Sequence, residues 1–423
     1  MTSGFTSELA ESLAPDLLER FLRYVAVDTQ ARRERERSPS TPGQLELGRI
    51  LLGELLALGL GDAELDDNGY VFATLRGTAD AAPVIGLLAH MDTSPDAPGA
   101  GVAPLVHRAY DGRVIELPRG GTSLDPGSMP ALAAKRGHDI VTASGDTLLG
   151  ADDKAGVAAI MAAVRHLAGH PELPRPTLRI GFTPDEEIGE GATLFDIERF
   201  GAHCAYTLDG SELGELQDET FSAIEAVVTI HGVDVHPGFA TGTMVSALRL
   251  AGRFVAELPY DNLTPATTSG RDGFIHPYSL TGTAAEAEVR LILRDFDEDR
   301  LNGHLELVRR AAEAIAASEP RARVAVTDRV QYRNMRRFLE GTPEIVSIAE
   351  EAIRAEGIEP LRDPIRGGTD GSRLSEMGLP TPNIFDGGHE YHSTREWASV
   401  QDMAAAAAVV VRLAERWSRR AAG

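Results

Sequence analysis

Val84 to Ala89 is a short, almost uninterrupted apolar run that stops abruptly at His90-Met91-Asp92. A run of this length without polar alternation reads as a strand covered on both faces of a sheet. Strand periodicity points His90 and Asp92 to the same side. An imidazole and a carboxylate side by side at the end of a buried strand make either a polar turn or part of a metal site.

Strand and helix patterns alternate around this run. Residues 69–75, 84–90, 178–183 and 204–209 read as strands, and 14–28 and 43–59 as helices. The segment KAGVAAIMAAVRHLAGH after Asp153 is a strong helix with an Ala-rich, closely packing face. Such alternation implies an α/β fold with a largely parallel, buried sheet. Residues 94–140, rich in Pro and Gly, read as an elaborated loop region, and ARRERERSPS (31–40) as a charged loop.

Near Gly214 the style changes. FSAIEAVVTIHGVDVH alternates, MVSALRLAGRFVAEL is helical, AEAEVRLILRDF alternates, EDRLNGHLELVRRAAEAIAAS is helical and RVAVTDRV reads as a strand. This β-α-β-α-β order with half-exposed strands suggests a small α+β insertion. PEIVSIAEEAIRAEG, TPNIF and a final helix over 401–419 then restore the first style. The expectation is a discontinuous, mostly parallel-sheet catalytic domain, 1–215 plus 336–423, interrupted by a lid-like α+β domain over 216–335. A length of 423 residues suits two or three domains.

Bulk composition excludes several classes. A formal net charge of −23 argues against nucleic acid or an anionic membrane as partner, because both need clustered Lys and Arg. No stretch reaches the ~18 apolar residues that span a bilayer. MTSGFTSELAESLAPDLLERFL reads as an amphipathic helix without a secretory pattern, and a single cysteine, Cys204, suits a reducing compartment, so a cytoplasmic protein is expected.

Other strand ends repeat the pattern at His90. TLLGADDKAG places Asp152 and Asp153 before a helix, TLRIGFTPDEEIGEG ends in Asp185-Glu186-Glu187, and HCAYTLDG ends in Asp209-Gly210. TPNIFDGGHEYHSTREW follows an apolar run with His389, Glu390 and His392. Singly, Asp153 reads as a helix cap and Asp209-Gly210 as a turn. Together they gather at the carboxyl ends of strands, where open sheets bind ligands. So many carboxylates in one crevice repel strongly without cations. Imidazole and carboxylate donors with no thiolate fit zinc, with cobalt or manganese as substitutes. Five ligands with one bridging carboxylate give each of two metals three protein ligands and leave a position for a shared water.

AHMDTSPD, TLLGADDKAG, FTPDEEIGEGA, YTLDG, VHPG, RDFD, IRGGTDGSRLSEMGLPTPNIF and YHSTREW, in this order and spacing, resemble the peptidase T family. These are di-zinc tripeptide aminopeptidases within a larger group of co-catalytic metallopeptidases, acylases and deacetylases. The resemblance implies two Zn2+ per subunit, one on His90, Asp152 and Asp209, the other on Asp152, Glu187 and His392. It implies that Asp92 fixes the His90 imidazole. It also makes Glu186 the general base, taking a proton from the bridging water and returning it to the leaving amine. A cis peptide between Asp152 and Asp153 is implied as well.

In the inserted domain, His236 resembles the histidine that stabilises the oxyanion in this group, and Arg294 and Arg366 are candidates to hold the carboxyl end or backbone of a short peptide substrate. A homodimer through the insertion is implied, and its alternating strands offer edges for pairing across a two-fold axis. His107, His138, His166, His170, His203 and His304 read as surface or packing residues without acidic company. His231 fits an exposed strand, His276 has no assigned role, and His389 competes with His392 as a ligand. Ser211, Glu212, Ser393, Thr394 and Arg395 depart from the family pattern around the metals and bear on substrate preference. A related dipeptidase, carboxypeptidase or N-acyl-amino-acid deacylase uses the same ligands, so these readings stand beside the tripeptidase. A non-catalytic peptide-binding protein is the alternative from another class.

Overall fold

The computed structural model describes residues 4–79 and 81–420. The chain forms two compact units. The first takes the chain up to Asp218, Arg337–Asp363 and the part from Thr369 onward; the second takes Glu219–Arg336 and Pro364–Gly368. Arg366, Gly367 and Gly368 thus belong with the second unit, a detail that the linear pattern does not carry.

The first unit is built on a seven-stranded sheet in the order Glu64–Leu65, Val71–Leu75, Leu178–Thr183, Ile85–His90, Cys204–Gly210, Asn383–Phe385, Leu216–Gln217. The four strands from Leu178–Thr183 to Asn383–Phe385 are parallel, and the outer pairings are antiparallel. Every residue of Ile85–His90 is buried, which is why its sequence shows no alternation.

Helices Glu8–Val25, Ala151–Gly169, Pro343–Ala355 and Val400–Trp417 share one core with Ile85, Leu87 and Ala89. Leu88 packs oppositely, with Phe72, Phe195, Phe200 and Leu374. Helix Glu8–Val25 starts earlier than the expected 14–28 because the Ser7 hydroxyl accepts the Ala10 N–H; the helix runs through Pro15.

Small residues on the Ala151–Gly169 helix let it lie directly on the sheet. A Cβ placed on Gly156 would stand 2.0 Å from the Leu208 carbonyl oxygen. That contact brings the start of the helix, with Asp152, against the end of Cys204–Gly210, with Asp209.

Residues 94–140 are more ordered than a loop. Leu105–His107 and Ile140–Thr142 join Gly388–His389 and Trp397–Ser399 in a four-stranded sheet. Tyr110, Ile115, Leu124, Leu132 and Trp397 form its own small core. Strands of two or three residues are too short to show a period in sequence.

The second unit is β-α-β-β-α-β, an antiparallel sheet in the order Phe274–Gly282, Glu286–Asp295, Ser222–His231, Arg323–Tyr332. Ala287, Val289, Leu291 and Leu293 alternate inward onto helices Ala247–Glu257 and Glu298–Ser318. The expected five-element order lacked Phe274–Gly282. Pro277 hid it, and the strand lies at a sheet edge, where a missing N–H is tolerated. Among the described residues no helix is long and apolar enough to cross a membrane.

Gly156→Ala forces a methyl group against a backbone oxygen that cannot rotate away, and costs about 1–3 kcal/mol. Gly169→Ala, at the end of the same helix with nothing within 4 Å of its added Cβ, is neutral or slightly stabilising. Urea unfolding midpoints of the two variants against the parent check both.

Candidate active site

The carboxyl ends of the parallel strands and the turns after them bring one cluster together. His90 closes its strand, Asp209 sits near the end of Cys204–Gly210, and Asp152 lies in the first turn of the long helix. His90 Nε2 is 2.8 Å from Asp152 Oδ1 and 3.8 Å from Asp209 Oδ1. His392 Nε2 is 3.2 Å from Asp152 Oδ2 and 2.9 Å from Glu187 Oε2. Donor atoms in each of two groups, His90–Asp152–Asp209 and Asp152–Glu187–His392, lie within 4.8 Å of one another. Asp152 belongs to both groups, presenting one oxygen to each imidazole.

The turns are fixed by the neighbouring backbone. The Asp152–Asp153 peptide is cis, in keeping with the expectation. The Asp153 carboxylate accepts the His90 N–H at 3.0 Å and the Gly156 N–H at 3.1 Å, tying strand to helix. Asp185, with φ +59, accepts from the Ser40 backbone and from Gln44 Nε2, which holds the 185–187 turn from outside.

Asp92 acts differently from the simple picture of a carboxylate on His90. Its Oδ1 accepts the Glu186 N–H at 3.0 Å and its Oδ2 the Glu187 N–H at 3.1 Å. The His90 Nδ1 meets the Asp92 carbonyl oxygen at 3.1 Å, with the carboxylate at 3.5 Å. Backbone and side chain of Asp92 therefore set the His90 ring and the Glu186-Glu187 pair at once.

The electrostatics match a centre built for positive charge. Burial drives the carboxyls of Glu186 and Asp209 well above their ordinary range, and neighbouring carboxylates push the same way. Burial and Asp152 together push Glu187 up to about 7. Burial would depress His392, yet its bonds to Asp152 and Glu187 outweigh that and raise it to about 11. His90 is raised in the same way by Asp152 and Asp92, while the two imidazoles hold Asp152 low against its burial. Protons are drawn onto donor atoms wherever cations are wanted. Glu187 Oε1 is buried with no hydrogen-bond partner among the described residues. A centre of imidazoles, carboxylates and an orphaned buried oxygen, with no thiolate, fits two divalent metals of the zinc type.

His389 stands apart from the favoured His392, and two histidines expected to lack acidic company have it. His389 lies outside the cluster: it stacks on Trp397 with centroids 4.2 Å apart and its Nδ1 is 3.3 Å from Ser211 Oγ. His304 does have acidic company, with Nε2 3.0 Å from the buried Asp295, as does His138, with Nδ1 3.8 Å from Asp402. His276 is exposed on its edge strand.

The remaining expected residues lie in the second unit. His236 is exposed, and its Nδ1 accepts the Gly238 N–H at 3.1 Å. Arg366 donates to the Gly270 and Asp272 carbonyls at 2.8 and 2.7 Å and to Thr268, so most of its fork is engaged in holding that loop. Arg294 donates to the Arg366 carbonyl at 3.3 Å, and its buried Nε has no partner among the described residues.

Sequence reasoning gave no role to Glu396, whose carboxylate grips the Asp152 turn, to Asp370, which accepts from Thr183 at 2.7 Å, or to Lys154. Lys154 is buried and donates to the Val27 carbonyl; burial lowers its pKa to about 8. An isolated acidic or basic residue in a loop or helix carries no pattern that marks it.

The sequence profile of Peptidase family M20/M25/M40 matches residues 148–416. A peptidase T of Geobacillus kaustophilus is 46% identical over 408 residues, covering 96% of this chain and 99% of that protein. Among solved structures, the aminopeptidase PepT of Bacillus cereus superposes with a TM-score of 0.73 at 25% identity, over 96% of this chain and 99% of that one. A Bacillus subtilis protein described as a dinuclear metal-binding peptidase of the M20 family superposes with a TM-score of 0.63 at 17% identity, over 96% and 98% of the two chains. With its match to the family profile and its end-to-end likeness to peptidase T, the chain belongs to Peptidase family M20/M25/M40, on its peptidase T side.

Proposed function

We propose that the chain is a cytoplasmic di-zinc aminopeptidase that removes the N-terminal residue of tripeptides. The observation that carries the reading is the pair of ligand groups sharing Asp152. His90, Asp152 and Asp209 would hold one ion, and Asp152, Glu187 and His392 the other. Two divalent ions there would supply Lewis-acid polarisation of the scissile carbonyl and acidification of a bound water.

The side chains do the rest. The Glu186 carboxylate takes the proton of the attacking water as its oxygen bonds to the carbonyl carbon. It gives the proton to the amide nitrogen as the C–N bond breaks, releasing the free residue and a dipeptide. Burial of Glu186 among carboxylates supports this role, since it raises the carboxyl toward a working pKa. Asp92 aims Glu186 by accepting its backbone N–H. The single cysteine, Cys204, buried in the core, accords with a cytoplasmic location. A homodimer through the second unit belongs to the same reading, supported by the exposed outer strands Phe274–Gly282 and Arg323–Tyr332.

Glu186→Gln is expected to lower Leu-Gly-Gly hydrolysis by roughly 100- to 10,000-fold while two zinc ions per chain remain by elemental analysis. An undiminished rate would remove Glu186 from the role of base. Substrate end-specificity separates the tripeptidase from its relatives. N-acetyl-Leu-Gly-Gly should resist cleavage and Leu-Gly-Gly-amide should be cut; the reverse pattern would point to a carboxypeptidase or a deacylase. Chelator should abolish turnover, with zinc restoring it.

A further inference from the structure

Glu396 lies in the same loop as His392 and is only 2% exposed. Its carboxylate faces the turn that carries Asp152. Leu149 and Gly150 N–H both donate to Oε2 at 2.8 Å, and Asp152 N–H donates to Oε1 at 3.1 Å. Among the described residues three donors and no acceptor meet this group, so only a side chain that accepts through both oxygens satisfies them.

The loop between these anchors needs holding. Glu390 and His392 have φ of +56 and +58, the left-handed region that residues other than glycine avoid. Such backbone persists where its surroundings overdetermine it. On one side, Gly388 and His389 pair with Ala398 and Trp397, and the His389 ring stacks on Trp397. On the other side stands Glu396, with its N–H on the Ser393 carbonyl and its carboxylate on the Asp152 turn.

We infer that Glu396 is a positioning residue that locks the His392 loop to the Asp152 turn and thereby sets the affinity of the Asp152–Glu187–His392 metal site. This rests on the di-metal reading above. The other site depends on Glu396 far less. His90 and Asp209 stand on strands of the central sheet, and the Asp153 carboxylate holds the cis turn from its other side through His90 and Gly156 N–H. Glu396 thus acts on one ion more than on its neighbour, although both share Asp152.

Cobalt(II) titration of the full chain, stripped by dialysis against chelator, separates the two steps by visible absorption and equilibrium dialysis. The parent should take up two ions per chain. Glu396→Gln turns an NH2 toward backbone donors and is expected to weaken one step by roughly 10- to 100-fold, with the other changed less than about threefold. In a His392→Ala background, where that site has already lost its loop ligand, adding Glu396→Gln should change binding less than about twofold.

Unaltered binding by Glu396→Gln, equal weakening of both steps, or additive effects in the His392→Ala background would each overturn the inference. Fewer than two ions on the parent would instead overturn the di-metal reading. If circular dichroism shows Glu396→Gln unfolded, Glu396→Asp, which keeps the charge on a shorter arm, takes its place. Selective loss of one step then supports the inference, and parent-like binding overturns it.

Discussion

Asp152 sits between two imidazoles, one oxygen toward His90 and the other toward His392, among Asp209, Glu186 and Glu187. Isolated buried carboxylates in such number would be driven neutral by desolvation and mutual repulsion. The protein keeps several of them together by fixing their backbone N–H groups. Asp92 takes those of Glu186 and Glu187, Asp153 that of His90, and Glu396 that of Asp152. The centre is therefore preorganised for charge, which divalent cations would relieve.

The scaffold of the first unit follows from that requirement. Parallel strands end side by side, which delivers His90, the 185–187 turn and Asp209 to one edge of the sheet. The Ala-rich helix reaches the same edge because Gly156 allows its backbone to touch the Leu208 carbonyl. The loop carrying His392 is anchored in the small four-stranded sheet through Gly388–His389 and Trp397–Ser399. Site precision thus comes largely from packed regular elements, with Glu187 on the tight turn after its strand and His392 delivered by a loop. Of the four non-glycine residues with positive φ among the described residues, Asp185, Glu390 and His392 gather around the candidate metal ligands.

Much of this was legible in the chain. Ile85–His90, Leu178–Thr183 and Cys204–Gly210 appear as apolar runs because both faces of the strands are covered, and their polar ends mark one edge of the sheet. The alternating Glu286–Asp295 strand showed its half-buried state equally well. Phe274–Gly282 did not, because Pro277 interrupts a pattern that an edge strand has no need to keep. The short strands over residues 105–142 escaped because a period cannot be read from two or three residues. Asp92 was found as a residue but only partly in its contacts, since its grip on Glu186 and Glu187 spans 94 and 95 positions of sequence.

The order of residues by itself determined the fold class, the edge of the sheet that carries chemistry and the type of ligand atoms available. These are local properties, set by side-chain period and by which residue follows which. The resemblance already favoured His392 over His389, and the tertiary structure shows what separates their surroundings. Both are histidines after the same apolar run, but one packs on Trp397 while the other meets Asp152 and Glu187. Only the tertiary structure decided the contacts of Glu396 and of the Arg366 fork, engaged with the 268–272 loop. Whether a polar side chain is a ligand, an anchor or a brace depends on the donors and acceptors that folding places within about 3 Å of it. Those partners lie far away along the chain.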